Sequence, residues 1–316
     1  MKEETIAALR AAGLEPDDTE WIVRRALSED FRYGPDVTSL ATAGGGPTAG
    51  DGPTAGDGPT APNERAVTGD VVARSHGVVA GLAVAQAVAE LAAEAGYVDG
   101  TIEAIALRGD GDRIGPGTAV LRVSGPATAM LGIERTMLNF LTHLSGIASV
   151  TRAWVDAVEG TGAEIRDTRK TTPGLRLLEK YAVRCGGGVN HRMGLGDAAL
   201  IKDNHVAAAG GVAKAIAAIR EHAPDVPLEV ECDTLAEVRE SLEAGARFIL
   251  LDNMSVDELR AAVAVARRYP GVRLEASGGL RLETARAVAL CGVDYLAVGA
   301  LTHSSPALDL GLDFTD

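Results

Sequence analysis

Apolar residues recur at helical spacing in two stretches near the start, Glu3–Ala12 and Asp17–Ser28, and predict two amphipathic helices. From residue 66 the pattern changes. Val67–Arg74, Ile102–Arg108 and Ala119–Val123 read as strands, with an alanine-rich helical run, Leu82–Ala95, between the first two. The turn-rich segment Gly111–Gly117 joins the second strand to the third. A lipoyl-type module has a similar turn, but no lysine stands here to be acylated. A long helix over Ala127–Leu144 closes the region.

The second half has another rhythm, in which short apolar runs alternate with helical ones. The strands are Ala163–Arg166, Ala199–Lys202, Leu228–Cys232, Phe248–Leu251, Arg273–Ala276 and Tyr295–Val298; helices include Gly211–Ile219, Leu235–Leu242 and Leu282–Leu290. Such alternation implies a parallel sheet, because parallel strands need crossover connections. Polar residues follow most strands: Asp167–Lys170, Asp203–His205, Asp233-Thr234, Asp252-Asn253, Ser277–Gly279 and Gly299-Ala300. In a β/α barrel those positions line the mouth, whereas a doubly wound sheet gathers its ligand at one switch point. Polar ends on so many strands favour the barrel.

Between these halves of the pattern, Gly-Pro-Thr-Ala-Gly-Asp repeats from Gly46 and Gly52 and restarts at Gly58. The unit lacks core-forming residues and reads as a flexible surface loop without chemistry. With 46% hydrophobic residues the chain can build a sizeable core. No apolar run reaches the ~18 residues that suggest a membrane span. The opening, MKEETIAALRAAGLEP, has neither a basic nor an apolar leader region, so no secretory signal is expected. Cys185, Cys232 and Cys291 are scattered and odd in number, which fits reduced thiols in a cytoplasmic protein without structural zinc.

The net charge of −14 argues against nucleic-acid binding. Yet Arg166, Arg169, Lys170, Arg176, Lys180, Arg184, Arg192 and Lys202, with His191, form a basic island opposed only by Asp167, Glu179 and Asp197. Such an island in an acidic chain suits a small, multiply charged anion, or a solvated basic face. Arg169 and Lys170 follow a strand and so point to the mouth; arginine offers a planar fork for a carboxylate or phosphate, lysine a point charge. Gly186–Gly188 permit tight backbone beside a ligand. His191 is a candidate anion donor, proton shuttle or structural hydrogen-bonder. Lys202 sits in an apolar run and is expected to be buried, hence paired or functional. In Leu228–Cys232, Glu229 and Glu231 share a face, and need Lys202, Lys170 or magnesium; Asp252 joins them from the next strand. Glu229 also suits a salt-bridge layer in the barrel core. Ser277–Gly279 and Gly299-Ala300 offer backbone N–H groups to a phosphate, or simply cap helices.

Together the motifs resemble quinolinate phosphoribosyltransferase. The resembling segments are Glu134–Asn139, Leu144–Ala148, Asp167–Thr172, Gly186–Arg192, Leu200–His205, Glu229–Cys232, Leu251–Met254, Glu275–Gly279 and Val298–Thr302. They run in order from Glu29-Asp30 to Leu308-Asp309, and the six-residue repeat is the departure. The resemblance implies an N-terminal α/β sandwich domain (1–140, with a low-complexity loop at 43–63), an open, incomplete β/α (TIM-like) barrel (141–302), and a tail (303–316) returning to the first domain. It implies phosphoribosyl transfer to quinolinate with decarboxylation, giving nicotinate mononucleotide in NAD biosynthesis. Arg169, His191, Arg192 and Lys202 would bind the quinolinate carboxylates, with Arg135 supplied by the neighbour in a homodimer, or in a hexamer. Lys170 would face pyrophosphate or substrate. Glu231 and Asp252 would lie by the ribose hydroxyls and hold Mg2+. The loops at Ser277, Gly278 and Gly279 and at Gly299 and Ala300 would hold the 5′-phosphate. No organic cofactor is implied. Competing readings are a molybdenum-transport-associated homologue, a nicotinate phosphoribosyltransferase and a non-catalytic anion sensor; five cationic side chains favour a dicarboxylate.

Overall fold

The computed structural model describes residues 1–43 and 66–315, so the six-residue repeat lies outside the described residues. The chain packs as two compact units, Met1–Ser149 with Pro306–Asp316, and Val150–Ser305. These divisions fall after 149 and 305, against 140 and 302 from the sequence.

The first unit begins with α1 (Glu3–Ala11), α2 (Pro16–Asp30) and α3 (Val37–Thr42). Pro16 opens α2, where its missing N–H is no loss. Asp36 caps α3 by accepting from the Thr38 and Ser39 amides. There follow β1 (Ala66–Ala73), β2 (Gly77–Val78), α4 (Leu82–Glu94), β3 (Glu103–Ala106), β4 (Arg113–Ile114), β5 (Ala119–Pro126) and α5 (Ala127–Ala157). An antiparallel sheet runs in the order Leu310–Phe314, β1, β5, β3. Alternating burial along β1 gives the sheet one inner face. Nine buried residues of α4, five of them alanine, let it pack closely on α1, α2 and β3.

The helix read to stop at Leu144 runs on to Ala157. Within the added turns Gly146 is a contact point: a Cβ there would run into Pro306 O and come within 3.0 Å of Ala307 Cα. Ser145 and Ser149 on the same helix accept from the backbone N–H groups of Ala80 and Val78 at 3.0 and 2.8 Å.

In the second unit strands and helices alternate: β6 (Glu164–Arg166), α6 (Arg176–Cys185), β7 (Ala199–Ile201), α7 (Asp203–Ala209), α8 (Val212–His222), β8 (Leu228–Cys232), α9 (Leu235–Glu243), β9 (Phe248–Asp252), α10 (Val256–Ala266), β10 (Arg273–Ser277), α11 (Leu282–Ala289), β11 (Tyr295–Ala297) and α12 (Ala300–His303). The six strands form one parallel sheet in the order β6-β11-β10-β9-β8-β7. Among the described residues β6 and β7 do not pair, so this is an open barrel of fewer than eight strands. Capping boxes at Thr234/Glu237 and Ser255/Glu258 start α9 and α10 directly after their strands. Among the described residues no helix is long and apolar enough to cross a membrane.

Candidate active site

Charged residues gather at the C-terminal ends of the parallel strands, and the first of these ends is anchored by a buried ion pair. Asp167, just past β6, and Lys180, on α6, are both fully buried, and the Lys180 ammonium contacts Asp167 Oδ1. Lys180 Nζ also donates to His191 O at 2.9 Å. Asp167 accepts from His191 N at 2.8 Å and from Asn190 Nδ2 at 2.5 Å. Burial pushes the carboxyl up and the ammonium down, and their direct contact opposes both shifts. Two segments are thereby pinned together: the one carrying Arg169 and Lys170, and the one carrying His191 and Arg192.

A charged layer is buried beneath the strand ends. His191 Nε2 lies 2.9 Å from Glu229 Oε2 and 3.7 Å from Glu275 Oε1. Arg166 donates to Glu275 Oε2 at 2.6 Å and sits over the Phe248 and Tyr295 rings, 5.1 and 5.0 Å from their centroids. Burial is the leading cause of three shifts here. It pushes Glu229 and Glu275 each up to about 7 and His191 down to about 4. Among the described residues, Glu229 Oε1 and Glu275 Oε1 find no hydrogen-bond partner.

Above this layer opens a cavity of about 350 Å³ lined by Arg169, Lys170, His191, Arg192, Lys202, Glu231, Asp252 and Ser277, among others. Arg169 and Arg192 each bury an Nε that has no partner among the described residues. Burial, then the neighbouring Arg169 charge, lowers the Arg192 pKa. Two guanidiniums held close with idle donors are poised for an anion carrying more than one acceptor group. Lys202 Nζ contacts Glu231 Oε2, and Asp252 accepts from Asn253 Nδ2 at 2.6 Å. Asn253 takes φ 54°, and Gly278, at φ 80°, leaves room for it: a Cβ at Gly278 would lie 2.8 Å from Asn253 N. A Cβ at Gly299 would come within 2.9 Å of Lys170 Cδ, so this loop packs on the lysine. Gly279 and Ala300 are exposed beside these loops.

The cavity brings together Arg169, Lys170, His191, Arg192, Lys202, Glu231, Asp252 and Ser277. Arg135 is exposed on α5, in the first unit, and is not among the lining residues. Lys202 corrects an expectation: β7 ends at Ile201, and the side chain of the lysine, the residue after it, is 44% exposed rather than buried. The fully buried lysine is Lys180, which the sequence placed only within the basic island. The sequence pattern likewise assigns Glu275 and Arg166 no part of their own. The available signal was a charged residue within an apolar strand, Glu275 in Arg273–Ser277.

Comparison with known proteins agrees with this architecture. Residues 36–145 match the N-terminal domain of quinolinate phosphoribosyl transferase, and residues 147–313 its C-terminal domain. The chain is 52% identical over 294 residues to the nicotinate-nucleotide pyrophosphorylase [carboxylating] of Mycobacterium leprae, covering 92% of this chain and 95% of that protein. It is 42% identical over 254 residues to a probable nicotinate-nucleotide pyrophosphorylase [carboxylating] of Bacillus subtilis, covering 80% and 85%. The solved nicotinate-nucleotide pyrophosphorylase of Francisella tularensis superposes with a TM-score of 0.83 at 34% identity, covering 95% of this chain and 96% of that one. The chain belongs to the quinolinate phosphoribosyltransferase family.

Proposed function

We propose that this chain is a carboxylating nicotinate-nucleotide pyrophosphorylase: a transferase that moves the phosphoribosyl group of phosphoribosyl pyrophosphate to quinolinate, in de novo NAD biosynthesis. One observation carries the reading from the residues themselves. Arg169 and Arg192 stand together at the cavity with buried, unpartnered Nε–H groups, and quinolinate brings two adjacent carboxylates to meet them.

In this reading Arg169, Arg192 and Lys202 hold the carboxylates and turn the ring nitrogen toward ribose C1. The nitrogen attacks C1 as the bond to pyrophosphate breaks through an oxocarbenium-like state. Lys170 receives charge developing on the leaving group. Holding both reactants in line removes ~7–11 kcal/mol of the barrier. The ring nitrogen is then cationic. The C2–carboxylate bond breaks, its electron pair stays at C2, CO2 leaves, and a proton from solvent completes nicotinate mononucleotide. The loops Ser277–Gly279 and Gly299-Ala300 take the 5′-phosphate.

Glu231 and Asp252 end adjacent strands and both line the cavity, a pair of hard oxygen donors that fits magnesium. They are the residues that would hold it, and when bound it supplies charge neutralisation for the pyrophosphate. The chemistry calls for no organic cofactor. Arg135, exposed and outside the cavity lining, completes the site of a second copy in a homodimer. Cys232 and Cys291 are buried thiols, in keeping with a cytoplasmic setting.

The test is product chromatography with purified chain, quinolinate, phosphoribosyl pyrophosphate and magnesium. Nicotinate mononucleotide should accumulate, and nicotinate should not replace quinolinate. No product, or equal use of nicotinate, rejects the reading.

A further inference from the structure

Every polar atom of His191 is engaged by the protein. Its N–H donates to Asp167 Oδ1 at 2.8 Å, and its carbonyl accepts from Lys180 Nζ at 2.9 Å. Ring Nδ1 lies 2.8 Å from Arg192 N, and ring Nε2 lies 2.9 Å from Glu229 Oε2. The Arg192 partner decides the ring's protons. A backbone amide can only donate, so Nδ1 must be the bare nitrogen and Nε2 must carry the hydrogen, which it gives to Glu229. An imidazolium would place an N–H at Nδ1 against the Arg192 N–H. The ring is 8% exposed, so what it shows the cavity has no unpaired polar atom.

The charges facing the ring come from every element packed on it: Glu229 on β8, Glu275 on β10, Arg166 and Asp167 at the end of β6, and Lys180 on α6. Three carboxylates and two cations stand there, and burial is still the largest influence; it favours the neutral ring.

We infer that His191 is a positioning residue, a neutral clamp fixing the Arg192 backbone beside the anion cavity, rather than a donor or proton carrier to the substrate. The inference rests on the quinolinate reading only for the identity of the anion that Arg192 meets. Among the described residues, Arg192 has one guanidinium hydrogen bond, Nη1 to Ala198 O at 3.0 Å, and a buried Nε without a partner. Its direction therefore depends on where its backbone is held.

The test is 15N NMR of enzyme labelled in its histidines, free and saturated with quinolinate, with the His191 signal assigned from its loss in His191→Asn. We expect a neutral ring with hydrogen on Nε2, unchanged from about pH 5.5 to about pH 8.5, a range that spans the ordinary histidine pKa, and unchanged by quinolinate. An imidazolium at neutral pH, or a hydrogen moving to Nδ1 when quinolinate binds, overturns the inference.

Kinetics give a second arm. His191→Ala removes the acceptor at Nδ1 and should raise quinolinate KM on the order of tenfold. His191→Asn keeps an acceptor near that position and should recover most of the loss, with the pH profile of kcat the same in all three proteins. An Asn variant as impaired as Ala, or loss of an inflection near neutral pH, also overturns it. A wild-type chain that does not turn over quinolinate rejects the function proposed above, and the free-enzyme spectra still decide the clamp.

Discussion

Replacing Lys180 with methionine tests whether the buried pair holds the site together. Both partners are fully buried. Removing one partner of a buried pair costs about 3–5 kcal/mol, because the other charge is left uncompensated. Here Asp167 keeps two donors, His191 N and Asn190 Nδ2, which places the loss near the lower end, about 3 kcal/mol. The His191 carbonyl also loses its Lys180 donor. For a unit the size of Val150–Ser305, about 3 kcal/mol lowers Tm by roughly 6–12 °C. Urea unfolding followed by circular dichroism gives the free energy, and quinolinate KM should rise because the Arg169 and Arg192 segments are no longer pinned together. Adding Asp167→Asn removes the stranded charge, so the double variant should be more stable than Lys180→Met alone. A single variant within 1 kcal/mol of wild type at unchanged m, on the scale of ordinary surface changes, would refute the argument. So would a double variant showing the full sum of both losses.

Arg135→Ala and Arg169→Ala homodimers should each be nearly inactive; mixed with subunit exchange they should regain roughly a quarter of wild-type activity, since about half the dimers are mixed and one of their two sites is intact. No recovery, with exchange confirmed by native mass spectrometry, places Arg135 in its own subunit's site. Turnover should require magnesium and collapse in Glu231→Ala and Asp252→Ala, checked by pyrophosphate release; full activity in excess chelator is the contrary result. Glu275, raised to about 7 by burial, binds its proton more tightly folded than unfolded, so its contribution to stability is present at low pH and fades as pH rises from about 4.5 to about 7. Glu275→Gln should therefore gain Tm relative to wild type across that window, and a difference that stays flat with pH contradicts the assignment.

Much of this was legible in the sequence. The six parallel strands appear as short apolar runs closed by polar residues, and the polar residues mark the cavity because a β/α sheet exposes its strand ends. What periodicity does not carry is partnership. Lys180 reads as one more cation on a helix until folding brings Asp167 against it. Lys202 reads as buried because it closes an apolar run, yet β7 stops one residue earlier. The helix that runs to Ala157 passes through Gly146 because the chain at Pro306–Ala307 needs the space, a contact some 160 residues away in sequence. The two roles left open for Glu229 close for a similar reason: it faces His191 in the buried layer, while Glu231 reaches the cavity.

The central claim is tested most directly with quinolinate carrying 13C in the C2 carboxyl only, or in the C3 carboxyl only. With phosphoribosyl pyrophosphate present, the C2 label should leave as CO2 in step with pyrophosphate, and the C3 label should stay in nicotinate mononucleotide. Release of the C3 label, or of either label without the phosphoribosyl donor, would contradict the account.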